Sequence, residues 1–181
     1  MENNATQRNQ FVLTYGAIMG IAQVFLLLVL YLTDNLVGSP FGVFKWVIFF
    51  IVLFIGLKSY RDKFGGGFIT YGRSLAIGIR MSMLSGIFIG AYYFLMLKIF
   101  DPGLAGKIIA ETEEAYLTMG LDEGTVEKMS EALQEGVKPW TMFFSNIFDG
   151  LLSGLFVSLI VGLFVKRKGN DPFQEAMKHV Q

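Results

Sequence analysis

FVLTYGAIMGIAQVFLLLVLYL, residues 11–32, carries no charged side chain, and its polar members are Thr14 and Gln23. An α-helix needs about 20 mostly apolar residues to cross the roughly 30 Å of hydrocarbon in a bilayer. This run is long enough, and it exceeds the roughly 7–15 apolar residues of a cleavable leader. It leaves through Thr33-Asp34-Asn35-Leu36, where no small-residue cleavage pattern follows. The reading is a retained first spanning helix.

Three further runs repeat the pattern. The second covers about 41–57, broken only by Lys45; the third covers about 76–100, with Arg80 and Lys98 toward its ends; the fourth covers about 143–165, with Asp149 inside it. A helix in a soluble protein keeps a polar face, and these four do not. The composition agrees: of 181 residues, 53% are hydrophobic and 17% charged, against about 25% charged in an ordinary soluble domain. The expected fold is all-α. One polytopic membrane domain over 1–181 holds four transmembrane helices, with an extramembrane helical hairpin at 103–138 between the third and fourth.

Lys and Arg collect on the cytoplasmic side of a membrane protein. Lys58, Arg61, Lys63 and Arg73 lie between spans two and three, Lys166, Arg167 and Lys168 follow span four, and Arg8 precedes span one. The turn from Thr33 to Pro40 holds none. Both termini are therefore expected inside. The third connection, Asp101 to Lys138, is then outside, and it holds nine acidic residues and three basic ones. Trp46, Trp140 and Tyr31 fall toward the outer interface and Tyr60 and Tyr71 toward the inner one, where their amphipathic rings are favoured.

Within that connection, Leu104, Ile108, Ala115 and Met119 recur at helical spacing, and Gly120 ends the run. Asp122 can cap a second helix, with Leu121 and Val126 as a hydrophobic staple. Val126, Met129, Leu133 and Val137 continue it, and Pro139 suits the first turn of span four. Glu127, Glu131 and Glu135 stack at four-residue spacing. They are read as a solvated face, because the alternating ligands and glycine of a Ca²⁺ loop are missing. A cation site or a docking face for a basic partner is the alternative.

Small residues form two ridges. Ser74, Gly78, Ser82, Gly86 and Gly90 recur every four residues in span three, as do Gly150, Gly154, Ser158 and Gly162 in span four. Lipid tails are as apolar as leucine, so helices associate in a bilayer by close backbone approach, which small residues permit. Packing of span three on span four within one chain is expected, with a homodimer seam as the alternative. Gly16 and Gly20 form a shorter pair in span one.

Ionisable groups within a span are functional candidates. Asp149, Asn146, Arg80 and Gln23 make the candidate intramembrane polar site. Arg80 is placed near the inner boundary, where its side chain can snorkel. Asp149 is placed about one turn below the outer surface, so direct pairing of the two is not expected. Asp149 is read as a partly hydrated interfacial acid, against a proton or cation ligand.

Between spans two and three, Gly65-Gly66-Gly67 makes a tight turn among basic and aromatic residues that suit anionic headgroups. GxxxxGK[ST] is absent, so this is no phosphate-cradling nucleotide loop. Phe173, Ala176, Met177 and Val180 would share a face of a short interfacial helix after span four. The chain has no cysteine and one histidine, His179, next to the C-terminus. Disulfides, thiolate metal sites and cysteine nucleophiles are thereby excluded, and no catalytic constellation stands out.

Gly56-Leu57-Lys58-Ser59-Tyr60-Arg61-Asp62, then Gly67-Phe68-Ile69-Thr70-Tyr71-Gly72, the acidic helical segment, Gly162, and Lys166-Arg167-Lys168 followed by Asp171-Pro172-Phe173 together resemble a family of small bacterial membrane proteins, domain of unknown function 4199, typical of Bacteroidota. The resemblance covers nearly the whole chain. It implies a bacterial cytoplasmic (inner) membrane location and no particular activity. The expectation is a non-enzymatic accessory or scaffold module with no cofactor, metal or nucleic acid. Its surroundings are the lipid bilayer and either a further copy of the chain or another membrane protein. The alternative is one subunit of an oligomeric transporter or channel.

Overall fold

The computed structural model describes residues 2–36 and 39–167. The tail face at Phe173, Ala176, Met177 and Val180 lies outside the described residues, as does His179. The chain forms α1 (Glu2–Leu32), a 3-10 turn at Pro40–Gly42, α2 (Val43–Phe64), α3 (Tyr71–Leu95) with a π-helical turn at Met96–Phe100, α4 (Leu104–Thr118), α5 (Glu123–Gly136) and α6 (Pro139–Val165). Four stretches are long and apolar enough to cross a membrane: Ala5–Leu32, Pro40–Phe64, Tyr71–Phe100 and Pro139–Val165. That is the pattern of a multi-pass membrane protein. Phe25, Phe148, Phe156 and Phe164 are each more than 60% exposed on the outside of the bundle, an apolar surface of the kind that marks contact with lipid or protein.

Every spanning helix runs beyond its apolar stretch. The Lys58–Arg73 segment, read from sequence as a connection, is largely helical: α2 continues to Phe64, α3 opens at Tyr71, and only 65–70 turn. The polar residues can stay helical because their backbone groups remain bonded within the helix. Arg61 is also buried and donates from Nη1 to the carbonyl of Val165 at 3.3 Å, one of the orphan acceptors at the end of α6. Gly66 and Gly67 have φ of +58° and +86°, the left-handed region that glycine enters without penalty. The turn is pinned to α6 by backbone bonds in both directions between Ile69 and Arg167.

The seam between α3 and α6 is antiparallel and close. A Cβ built on Gly86 would sit 2.5 Å from the Asn146 carbonyl oxygen, and one on Gly90 2.6 Å from that of Phe143. One on Gly150 would sit 2.7 Å from the Ser82 carbonyl oxygen. Gly78 faces Ser158, Gly154 faces Ser82, and Gly162 faces Ser74. Alpha-1 packs on α3 through Gly16, against Met81 and Leu84, and Gly20, against Phe88.

The core divides into two apolar clusters. One, near the 65–70 turn, joins Val12, Met19, Leu53, Leu57, Met81 and Val161 from all four spans. The other joins Leu27, Ile89, Tyr92 and Leu97 with Leu104 of α4 and Val137 after α5. Alpha-4 and α5 contact each other. Asp122 caps α5, its carboxylate accepting from the Thr125 backbone N–H at 2.9 Å, and Gly120 takes φ +89° in the turn before it. Tyr31 Oη donates to Asp101 at 2.9 Å, and Lys107 pairs with Asp34, fastening α4 to the end of α1.

Candidate functional site

Between the two apolar clusters lies a polar layer to which every spanning helix contributes. Gln23 of α1 and Ser85 of α3 are each 1% exposed. Ser85 Oγ donates to Gln23 Oε1 at 2.8 Å, and Gln23 Nε2 donates to the Lys45 carbonyl at 3.2 Å. The glutamine amide thus bridges α3 and α2. This matters in hydrocarbon, where an amide with no partner costs several kcal/mol.

The same bond fixes the depth of α2. Lys45 lies in the first turn of α2, yet it meets Gln23, nine residues before the end of α1 at Leu32. At 1.5 Å per residue, Lys45 therefore stands about 13 Å short of the end of α1, and α2, which starts two residues earlier at Val43, about 10 Å short. Its short 3-10 turn at Pro40–Gly42 enters the bundle at this level.

Lys45 Nζ stands 3.9 Å from Asp149 Oδ2, an ion pair across the α2/α6 crevice. The pair is partly open: the Lys45 side chain is 31% exposed and that of Asp149 55%. Ser153 Oγ, one turn further along α6, donates to Asp149 Oδ1 at 3.2 Å. Asn146 turns its amide onto its own helix, donating to the Met142 carbonyl at 2.7 Å. Gln23, Lys45, Ser82, Ser85, Asn146 and Asp149 enclose a cavity of about 10 Å³, close to the minimum that admits one water molecule.

Three of the four candidate polar residues, Gln23, Asn146 and Asp149, thus surround one small space. Arg80 does not join them. It lines a separate groove with Arg8, Tyr60 and Arg73 between α1 and α3, toward the 65–70 turn. Lys45, Ser85 and Ser153 were not singled out from the sequence. Lys45 had a signal, as the one charge in its run; Ser85 and Ser153 looked like ordinary small residues. Glu127, Glu131 and Glu135 remain exposed on α5, and Glu135 pairs with Lys138 at 2.6 Å.

Outside the spans, the Lys107 ammonium holds the Asp34 carboxyl below its usual range, and Asp34 raises Lys107 in return. Hydrogen bonds from Thr125 lower Asp122 in the same way.

No curated protein and no solved structure matches the chain. A protein-family model described as "Protein of unknown function (DUF4199)" matches residues 14–167, from within α1 to the residue that pairs with Ile69. That match takes in α1 from Thr14 onward, the other three spanning helices, the α4–α5 pair and every residue of the polar layer, and the chain belongs to the DUF4199 family.

Proposed function

We propose that this chain is a non-enzymatic accessory or scaffold module of the bacterial inner membrane, with both termini cytoplasmic and α4–α5 on the outer side. The observation that carries the reading is the closure of the polar layer. The buried amide and hydroxyl at its centre, Gln23 and Ser85, bond to each other and to backbone, and the space they leave is about 10 Å³. A path for a solute needs a continuous wet lining, and one chain offers none at this level. The exposed acidic surface of α4 and α5 then provides the contact with a partner, whose complementary face would be basic.

The test is purification of the tagged chain from native membranes in mild detergent, with parent protein and a Glu127→Gln/Glu131→Gln/Glu135→Gln variant compared side by side. A stoichiometric membrane partner held by the parent and lost from the variant supports the reading. A parent chain that purifies with no partner, yet conducts ions in vesicles, contradicts it.

One observation favours a second reading, a subunit of an oligomeric transporter. The Lys45–Asp149 pair is partly exposed on the α2/α6 side of the bundle, where a further copy could complete a path. Under that reading Asp149→Asn abolishes flux in reconstituted vesicles.

A further inference from the structure

The groove that holds Arg80 has no place in the reading above. It lies between α1 and α3, has a volume of about 300 Å³, and is lined by Arg8, Tyr60, Arg73, Ala76, Ile77 and Arg80. Among the described residues no carboxylate lines it. Arg73 and Arg80 are seven residues apart on α3, two turns, so they share a face and differ in depth by about 10 Å. Ala76 and Ile77, one turn from each, form an apolar floor between them. Arg8 closes the groove from α1. The Arg73 guanidinium lies 6.0 Å from the centroid of the buried Tyr60 ring, which orients it.

Arg80 is exposed, lies inside the apolar Tyr71–Phe100 stretch, and forms no ion pair among the described residues. A guanidinium at that depth is costly unless it snorkels to the headgroups or an anion reaches it. Its planar fork matches phosphate oxygens two at a time. A volume of about 300 Å³ is at the lower end for small-molecule sites.

We propose that this groove is a binding site for the phosphate of an anionic phospholipid. Arg8 and Arg73 take the headgroup, and Arg80, drawn up from the hydrocarbon edge, reaches the same phosphate or the ester region just below it. A lipid fits better than a soluble anion for two reasons. The deepest cation sits within a spanning stretch, where only a molecule anchored in the bilayer is regularly present. Half of the lining is apolar in kind, with Ala76 and Ile77 placed where the glycerol and first methylenes of a lipid would lie. The site is independent of any partner on α4–α5.

Native mass spectrometry of the intact chain in mild detergent tests the proposal. Phosphatidylglycerol and phosphatidylcholine of equal chain length are titrated in competition, with and without inorganic phosphate. The expected result is preferential retention of phosphatidylglycerol, unaffected by millimolar inorganic phosphate. Arg73→Gln/Arg80→Gln should weaken retention about tenfold or more, equivalent to about 1.4 kcal/mol. Arg80→Lys, which keeps the charge and loses the fork, should fall between. Lys58→Gln/Lys166→Gln, which removes two charges at the same end of the bundle but outside the groove, should change little.

Equal retention of the two lipids by the parent overturns the proposal without reference to any variant. Displacement by inorganic phosphate overturns the lipid source, and equal loss in the Lys58/Lys166 variant reduces the effect to bulk charge and overturns the site.

Discussion

Replacing Gly86 by alanine sets a methyl group 2.5 Å from the Asn146 carbonyl oxygen and 3.1 Å from the Ile147 Cα. Both neighbours are backbone atoms, so no rotamer change can make room. Ordinary contact begins at 3.4 Å, and α3 and α6 must therefore part by about 1 Å at this level. The separation loosens the matching approaches at Gly90 and Gly150 on either side. Overpacking of this kind costs about 1–3 kcal/mol. Alanine recovers at most about 1 kcal/mol through helix propensity, so a net loss of up to about 2 kcal/mol is expected. Gly106 of α4 is the matched control, because a Cβ there meets nothing within 4 Å. Gly106→Ala should be neutral or stabilising by about 0.5–1 kcal/mol. The two variants are compared by titrating detergent-solubilised protein with a denaturing surfactant and following Trp140 and Trp46 fluorescence. Opposite signs for one chemical change are the expected outcome. A Gly86→Ala protein stabilised as much as Gly106→Ala would refute the claim that backbone contact at this seam holds the bundle.

The Gln23 bridge gives a second prediction. Ser85→Ala leaves the Gln23 carbonyl without its donor and should cost about 0.6 kcal/mol, the average for such bonds within membranes, and at most about 1.7 kcal/mol. Combined with Gln23→Leu it should cost much less than the sum of the two single changes; strict additivity in the same titration would mean that the bond contributes nothing. The Asp34–Lys107 pair gives a pH prediction. Asp34 has a folded pKa below its ordinary 3.8, so its stabilisation is fully present above that value and is lost as pH falls through the depressed one. Lys107, raised above 10.5, contributes below that value and loses its contribution as pH rises through the raised one. Hydrogen-exchange protection at the start of α4, measured relative to the intrinsic exchange rate at each pH, should therefore hold across neutral pH and fall at both extremes. Asp34→Asn should remove the acidic arm and, because Asp34 is the main cause of the raised Lys107 pKa, flatten the basic one as well; an unchanged acidic arm in that variant would assign it to another group.

The four-span architecture was legible because hydrocarbon imposes a one-dimensional rule: an uncharged run such as Phe11–Leu32 must bury its backbone bonds in a helix wherever it lies. The ridges were legible for a similar reason, since small residues every four positions, as from Ser74 to Gly90, align on one helix face. Asp122 and Gly120 declared the start of α5 through local chemistry alone. The candidate site was legible only in part. Asp149, Asn146 and Gln23 stood out by residue type, but their convergence depends on the register of α1, α2 and α6 against α3. Ser85 becomes a partner for Gln23 across 62 residues of sequence. No local pattern reports that α2 starts about 10 Å short of the end of α1, which is what brings Lys45 to Asp149. Arg73 and Arg80 could be placed on one face by counting, whereas Arg8 reaches them only through the packing of α1 on α3. The helical continuation of α2 to Phe64 escaped because a polar, glycine-flanked segment reads as loop until Arg61 is seen bonded to the end of α6.

The arrangement in the membrane underlies both the partner surface and the lipid groove, and the cysteine-free chain allows a direct test of it. Thr70→Cys, in the turn between α2 and α3, and Gln134→Cys, on the exposed side of α5, are treated in intact cells with a thiol reagent that does not cross the inner membrane. Four crossings with cytoplasmic termini predict labelling at position 134 in intact cells and at position 70 only after the membrane is opened. Labelling of both positions from the same side would contradict it.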